Sequence, residues 1–171
     1  MIWRRRRARA TIRRLLADDA GIWRDLRLEA LSRHPEAYGS THDDWAGQPL
    51  QAFADRLTSG VILGAFRGGA LVGSTALDPD PDDAETGLVT AVYVGAAHRG
   101  AGIARDLLHA IEAQARDAGM TRLALSVALD NGRALRFYQA AGFRQCGQGP
   151  RALARDGRLL DLIGMVRPIR A

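Results

Sequence analysis

The clearest periodicity in the chain lies near its centre. Apolar residues at Ile103, Leu107, Leu108, Ile111 and Ala115 share one face at helical spacing, which predicts a helix opening at Gly102 and closing at Gly119. The run before it, residues 86–94, is almost continuously apolar and reads as a strand covered on both faces. Nearer the start, residues 10–15 predict a first strand, and Asp18-Asp19 would cap a helix near 20–33. Ile22, Trp23, Leu26, Leu28, Ala30 and Leu31 give that helix a broad apolar stripe, and His34-Pro35 ends it. Residues 35–42 read as a polar and aromatic loop, followed by a second helix at about 49–57. Residues 61–66 and 70–77 flank Arg67-Gly68-Gly69 as a hairpin, while 78–83 reads as a loop on its proline and aspartate content. A strand is predicted at 123–129. Asp130-Asn131 then caps a helix carrying Ala134, Leu135, Tyr138 and Ala141 on one side, with Gly142 closing it. Residues 143–147 and 159–166 read as two late strands around a loop rich in glycine and arginine. The order β-α-α-β-β-β-α-β-α-β-β predicts an α/β chain with a mixed sheet.

The start of the central helix carries the first chemical signal. No Ser, Thr, Asp or Asn stands just before Gly102 or Ile103, so the first-turn N–H groups lack a side-chain cap. Gly100 and Gly102 let an outside group approach the backbone closely. Uncapped N–H groups at the positive end of a helix favour a phosphate or another anion. These residues alone are equally consistent with a plain turn whose helix end meets water.

Length and charge bound the rest. At 171 residues the chain suits one domain with its own core, taken as residues 10–171 after a basic leader at 1–9. Arg4, Arg5, Arg6, Arg7 and Arg9 account for the whole net charge of +5, because the remaining arginines match the 19 acids. Such a leader binds nucleic acid or acidic surfaces non-specifically, but it reads more simply as a disordered tail, and no nucleic-acid partner is expected. No run approaches eighteen apolar residues, so a membrane-spanning helix is excluded and no membrane partner is expected. The basic start lacks the apolar region of a secretory signal. Cys146, the one cysteine, suits a reducing, cytoplasmic compartment and reads as a small buried hydrophobe. All 24 basic residues are arginine, so no internal ε-amine is available for modification.

The segment Arg99-Gly100-Ala101-Gly102-Ile103-Ala104 resembles the Arg/Gln-x-x-Gly-x-Gly/Ala signature of the GNAT N-acetyltransferase superfamily. The strand and cap at 123–131, with the helix and following residues at 134–143, resemble the family's second signature. The likeness covers roughly residues 10–167. It implies a central, mostly antiparallel sheet of about seven strands, splayed at an acetyl-CoA cleft and flanked by about four helices. It also implies acetyl-CoA as co-substrate, its pyrophosphate on the N–H groups of Arg99, Gly100, Ala101, Gly102, Ile103 and Ala104. The Arg99 side chain would assist, and His98 stands next to it. Val92, Tyr93 and Val94 would run beside the pantetheine arm, a backbone N–H near Tyr93 or Val94 polarising the thioester carbonyl. Asn131, Ala134, Phe137 and Tyr138 would complete the donor site, with Asn131 also able simply to cap its helix.

By the same resemblance Tyr138 is the general acid toward the leaving thiolate. A phenol near 10 is a weaker acid than a thiol near 8.5, so full proton transfer costs about 2 kcal/mol. Hydrogen bonding to the developing thiolate is therefore its main expected role. The base is less defined, because an alkylamine is only about 0.1% neutral near pH 7.4. Many family members carry a carboxylate on the strand before the glycine-rich turn. Here only Glu85, at the far end of that strand, is acidic. Glu29, Tyr38 and His42 are the candidates for the acceptor side. No metal-ligand cluster is visible, and no metal is expected. The expected activity is direct acetyl transfer to a primary amine on a small molecule, peptide or protein. A transferase for another acyl-CoA and a non-catalytic CoA-binding domain are the alternatives. The oligomeric state stays open, a homodimer included.

Overall fold

The computed structural model describes residues 9–148, 152–153 and 159–169. In chain order the elements are β1 (Thr11–Arg14), α1 (Ala20–Arg33), α2 (His42–Ala46), α3 (Leu50–Ser59), β2 (Val61–Arg67), β3 (Ala70–Asp80) and β4 (Asp83–Val94). Then follow α4 (Ile103–Asp117), β5 (Arg122–Ala128), α5 (Gly132–Ala140), β6 (Arg144–Gln148), β7 (Ala152–Leu153), β8 (Leu159–Leu160) and β9 (Leu162–Pro168). Seven strands form one sheet in the order β1-β2-β3-β4-β5-β9-β6, and β7 pairs with β8 alone. Every neighbour pair in the large sheet is antiparallel except β4 with β5.

Helices cover both faces, and the alternation along β2 shows why. Leu63 and Ala65 point into a core with Ile103, Leu107, Leu108, Ile111 and Ala115 of α4. Ile62, one residue out of phase, packs instead with Trp23 of α1 and Phe53 and Leu57 of α3. The five residues that predicted α4 are the five it buries. The stripe predicted for α1 is narrower than expected: Trp23, Leu26, Ala30 and Leu31 are buried, whereas Ile22 is 46% exposed on the opposite side. Asp19 stands at the N-cap of α1 but does not cap it. Its carboxylate instead takes both arms of the Arg13 guanidinium, at 2.7 and 2.8 Å, and the Leu16 N–H at 2.8 Å.

Other expectations shift for identifiable reasons. The loop predicted at 78–83 is mostly strand, with β3 running through Pro79 to Asp80. Pairing of β2 with β3 stops at Leu77, so Pro79 sits where β3 has become an edge and its missing N–H costs no ladder bond. Within the loop predicted at 35–42, α2 begins under a reciprocal cap: Thr41 Oγ1 accepts from Asp44 N–H and Asp44 accepts from Thr41 N–H. That adds a fifth helix to the expected four. Cys146 is exposed, not buried, because β6 is the outermost strand. Of the leader, only Arg9 lies inside the described residues; its guanidinium reaches Asp106 at 3.4 Å. Most of the late glycine- and arginine-rich loop lies outside them.

Two irregularities in β4 shape the site. Ala91 has φ of 52°, the one positive value at a non-glycine residue among those described, where the β3–β4 register slips between Ser74 and Ala76. The slip leaves Thr90 exposed, so β4 is not covered on both faces as expected. The second irregularity is the partner strand. β4 pairs with β5 only at Thr86, Gly87 and Leu88, opposite Arg122, Leu123 and Ala124. Beyond that point the two strands part.

Candidate active site

The open end of the β4–β5 pair adjoins a cavity of about 860 Å³. Its walls come from four places: β4 at Val92, Tyr93 and Val94; the turn and helix start from His98 to Arg105; α5 with Asp130 and Asn131 before it; and residues 34–38. Of the residues expected at a donor site, Val92, Tyr93, Val94, Arg99, Gly100, Gly102, Ile103, Ala104, Asn131, Ala134, Phe137 and Tyr138 line this one cavity. Ala101 is exposed and lies outside the wall.

The helix start is built as the sequence suggested. Gly102 takes the N-cap of α4 at φ 80°, a left-handed conformation that few side chains adopt, and no side chain caps the helix. The first helical bond runs from Asp106 N–H to Gly102 O, so the N–H groups of Ile103, Ala104 and Arg105 have no intrahelical acceptor. Gly100, at φ 74°, leaves open space where a side chain would stand. This is the surface a pyrophosphate requires, and the residues fit that group. The Arg99 guanidinium is already engaged: Nε donates to Val94 O at 3.0 Å and Nη2 lies 3.0 Å from His34 Nε2. That contact leaves the His34 proton on Nδ1, which is 3.5 Å from Glu36.

The cleft edge of β4 can be read residue by residue. Gly95 N–H bonds back to Val72 O on β3, so by alternation Tyr93 faces β3, while Val92 and Val94 present their backbone groups to the open side. Their carbonyls confirm it, since Val94 O accepts from Arg99 and Val92 O accepts from the Tyr38 hydroxyl at 3.1 Å. Of the two N–H groups expected near the reacting carbonyl, that of Val94 faces the cleft and that of Tyr93 does not.

Tyr138 reaches the cavity from α5. Asn131 caps that helix, its Oδ1 accepting from Ala134 N–H at 3.1 Å, so its capping role is made. Arg167 of β9 donates to Ala141 O at 2.7 Å and also bonds Glu112 of α4, tying the two helices together. The Tyr138 ring stands edge-on between Phe137 and Phe143, at 5.1 and 5.7 Å. Burial pushes its phenol well above the ordinary value. The same is true of Tyr38, whose charge couples first to Arg27 and then to Tyr138.

The remaining candidates scatter. Glu85 lies at the opposite end of β4, roughly 20 Å along the strand from Val92 at ~3.3 Å per residue. It accepts from Thr121 and neighbours Arg122, and does not line the cavity. Glu29 sits behind Tyr93, accepting its hydroxyl proton at 2.7 Å, and raises the Tyr93 phenol after burial does. His42 turns to Asp43 at 3.4 Å, away from the cavity. Sequence reading missed His34, Glu36, Arg105, Asp130 and Arg133 on the wall. Asp130 and Arg133 flank a cap already recognised, so proximity in sequence was the available signal. Among the described residues no group of three His, Cys, Asp or Glu side chains could hold a metal. Nor is any helix among them long and apolar enough to cross a membrane.

Comparison with known proteins agrees with this architecture. An acetyltransferase of the GNAT family from Streptococcus pneumoniae superposes with a TM-score of 0.80 over 94% of this chain and 99% of its own, at 22% identity. A GNAT superfamily phosphinothricin acetyltransferase from Sinorhizobium meliloti, solved in complex with acetyl-CoA, gives 0.78 over 95% and 89%, at 20% identity. In sequence, the L-amino acid N-acyltransferase of Escherichia coli is 35% identical over 74 residues, which is 43% of either chain. The match thus spans less than half the length of that relative. The sequence profile of the acetyltransferase (GNAT) family matches residues 21–143, a stretch that runs from α1 through the glycine-rich turn to Phe143, and the chain belongs to that family.

Proposed function

We propose that the protein is an acetyl-CoA-dependent N-acetyltransferase that moves the acetyl group directly to a primary amine of amino-acid type. One observation carries the reading: an uncapped helix start, an open strand edge and a half-buried tyrosine converge on one cavity. Acetyl-CoA, when bound, supplies the activated acyl group and a thiolate leaving group. The N–H groups of Ile103, Ala104 and Arg105 hold the pyrophosphate, joined by Arg99 when it releases Val94 O. The freed edge of Val92 and Val94 pairs with the amide-bearing arm as a strand would. The Val94 N–H is the group available to the reacting carbonyl.

Tyr138 donates a hydrogen bond to the departing sulfur. Its raised pKa keeps it protonated throughout the working range and makes complete proton transfer costlier than for a free phenol. The carboxylates on the cavity wall among described residues are Glu36 and Asp130. Glu36, paired with His34 on the acceptor side, is the one positioned to accept a proton through water from the incoming ammonium. Amino acids are favoured as acceptors by the name of the Escherichia coli relative.

The test is an acceptor screen over L-amino acids, polyamines, aminoglycosides and peptide N-termini with acetyl-CoA. Free thiol is read in solution and the acetylated amine by mass spectrometry. Thiol release with amino acids is expected. Stabilisation by acetyl-CoA without thiol release from any amine would leave a CoA-binding module, and faster turnover with a longer acyl-CoA would reassign the donor.

A further inference from the structure

His34 ends α1 because Pro35 follows it. The residue before a proline avoids the helical region, and His34 leaves it at φ −137° and ψ 58°, after its N–H closes a last bond to Ala30 O at 3.0 Å. That turn sets the imidazole on the cavity wall beside Glu36, with 35% of the side chain exposed. Both ring nitrogens have charged neighbours. Nδ1 stands 3.5 Å from Glu36 Oε1, and Nε2 is 3.0 Å from Arg99 Nη2. A guanidinium can only donate, so His34 Nε2 is a lone pair covered by Arg99.

Arg99 occupies two acceptors in the cleft at once. The second is Val94 O, at 3.0 Å, and the guanidinium lies 5.8 Å from the centre of the Tyr93 ring. Both acceptors are neutral. A pyrophosphate at the helix start just beyond Arg99 is an anion, and a charge-assisted bond to it is roughly twice as strong as a neutral one. Filling the donor site therefore draws Arg99 off both. Val94 O is then free for the donor's amide-bearing arm, and His34 Nε2 is left as a bare lone pair on the wall of the cavity.

We infer that His34 Nε2 takes the proton from the acceptor ammonium, and that Arg99 keeps this nitrogen covered until the donor is bound. This rests on the acyl-transfer reading above and adds the ring through which the proton reaches Glu36. The proton passes over water to Nε2 while the Nδ1 proton is drawn toward Glu36. The neutral amine then bonds to the acetyl carbon as the bond from that carbon to sulfur breaks, its electron pair leaving on sulfur. The nitrogen's remaining surplus proton ends on that sulfur. When the thiol product leaves, Arg99 returns to Nε2 and the ring gives its proton to water, so each turnover releases one proton. The charges around the ring suit this path. Arg33, at the end of α1, pairs with Glu29 at 3.4 Å, and Glu29 in turn takes the Tyr93 hydroxyl. Tyr93 itself presents its ring at 6.1 Å. From β5, which packs against residues 35–37, no charged residue follows Arg122. His98 and Arg105 by the helix start, with Asp130 and Arg133 by α5, complete the charged wall. Once Arg99 has turned away, Glu36 still stands beside Nδ1, and a carboxylate there favours a proton at Nε2.

The test uses His34→Gln, whose side chain still offers Arg99 an acceptor but cannot take a proton. With an L-amino acid as acceptor, kcat/KM should fall by about 100-fold. Calorimetric binding of CoA should stay within about threefold and Tm should be unchanged. The pH profile separates proton transfer from packing. Between about pH 7 and 8.5 the variant's kcat/KM should climb about tenfold per pH unit, following the small neutral fraction of the amine, while the wild type's climbs far less. A further readout needs no turnover. Imidazole nitrogen NMR of the wild type should show the His34 Nε2 resonance moving when CoA is added, as Arg99 leaves it, and the His34→Gln spectrum identifies that resonance by its absence.

An unchanged kcat/KM in His34→Gln, or a pH slope equal to the wild type's, overturns the assignment and leaves Glu36 acting through water alone. A loss of rate that comes with weakened CoA binding or a lowered Tm marks a structural role and overturns it too. A Nε2 resonance indifferent to bound CoA overturns the covering by Arg99. No CoA binding and no thiol release by the wild type would instead overturn the reading it rests on.

Discussion

The two sides of the cavity are made in different ways. The proposed donor side is largely backbone: a strand edge at Val92 and Val94, then a turn and helix start ending at Arg105, all within fourteen consecutive residues. The proposed acceptor side is side chains gathered from afar. Tyr38 reaches Val92 and His34 reaches Arg99, while Glu29 stands behind the wall on Tyr93. A surface of N–H groups recognises a phosphate whatever the neighbouring side chains are, whereas recognition of an amine depends on which side chains arrive. One fold can therefore keep its donor and change its acceptor.

Substitutions can break that division or sharpen it. The largest effect is expected at Gly102→Val. A β-branched residue at φ 80° costs about 1–3 kcal/mol and distorts the helix start, so acetyl-CoA affinity should fall by up to roughly 100-fold. Calorimetry checks this, and undiminished binding would remove the turn from the donor site. Next, Tyr138→Phe should lower kcat by about 100-fold while KM for acetyl-CoA stays within a few fold. An unchanged kcat would strike the tyrosine from the chemistry and leave it as packing between Phe137 and Phe143.

Asn131→Ala should be milder. It removes the Ala134 N–H cap and costs about 1 kcal/mol in urea unfolding, with donor KM raised only modestly. A shift in amino-acid KM instead would show that the two sides share α5.

The smallest effect concerns pH. Burial raises the phenols of Tyr38 and Tyr138, so the stability they contribute is complete below the free value, about 10, and is lost as pH rises above it. Melting curves between pH 8 and 11 should show Tm declining from about pH 10, and a Tyr38→Phe, Tyr138→Phe double variant should decline less steeply. Identical slopes would mean that neither phenol is protected on either side of the cavity.

The comparison also explains what was legible in the chain. The α4 stripe, the missing cap before Ile103 and the Asn131 cap are local patterns, set by periodicity and by backbone groups that need partners. They emerged as predicted. Glu85 shows the limit on the same strand: a carboxylate on β4 was the expected base, but β4 is long enough to put it at the opposite end from the cleft. His42 shows the other limit, because the Thr41–Asp44 cap starts a helix that turns the ring toward Asp43.

The sequence by itself determined the class of fold, the order of its longer elements and the place where a helix start lacks a cap, since each follows from spacing within a few turns. Only the tertiary structure decided where β4 and β5 part and which carbonyls Tyr38 and Arg99 occupy. Those outcomes depend on register between distant strands and on a bulge at Ala91. The burial that raises the Tyr38 and Tyr138 phenols is likewise a property of everything packed around them.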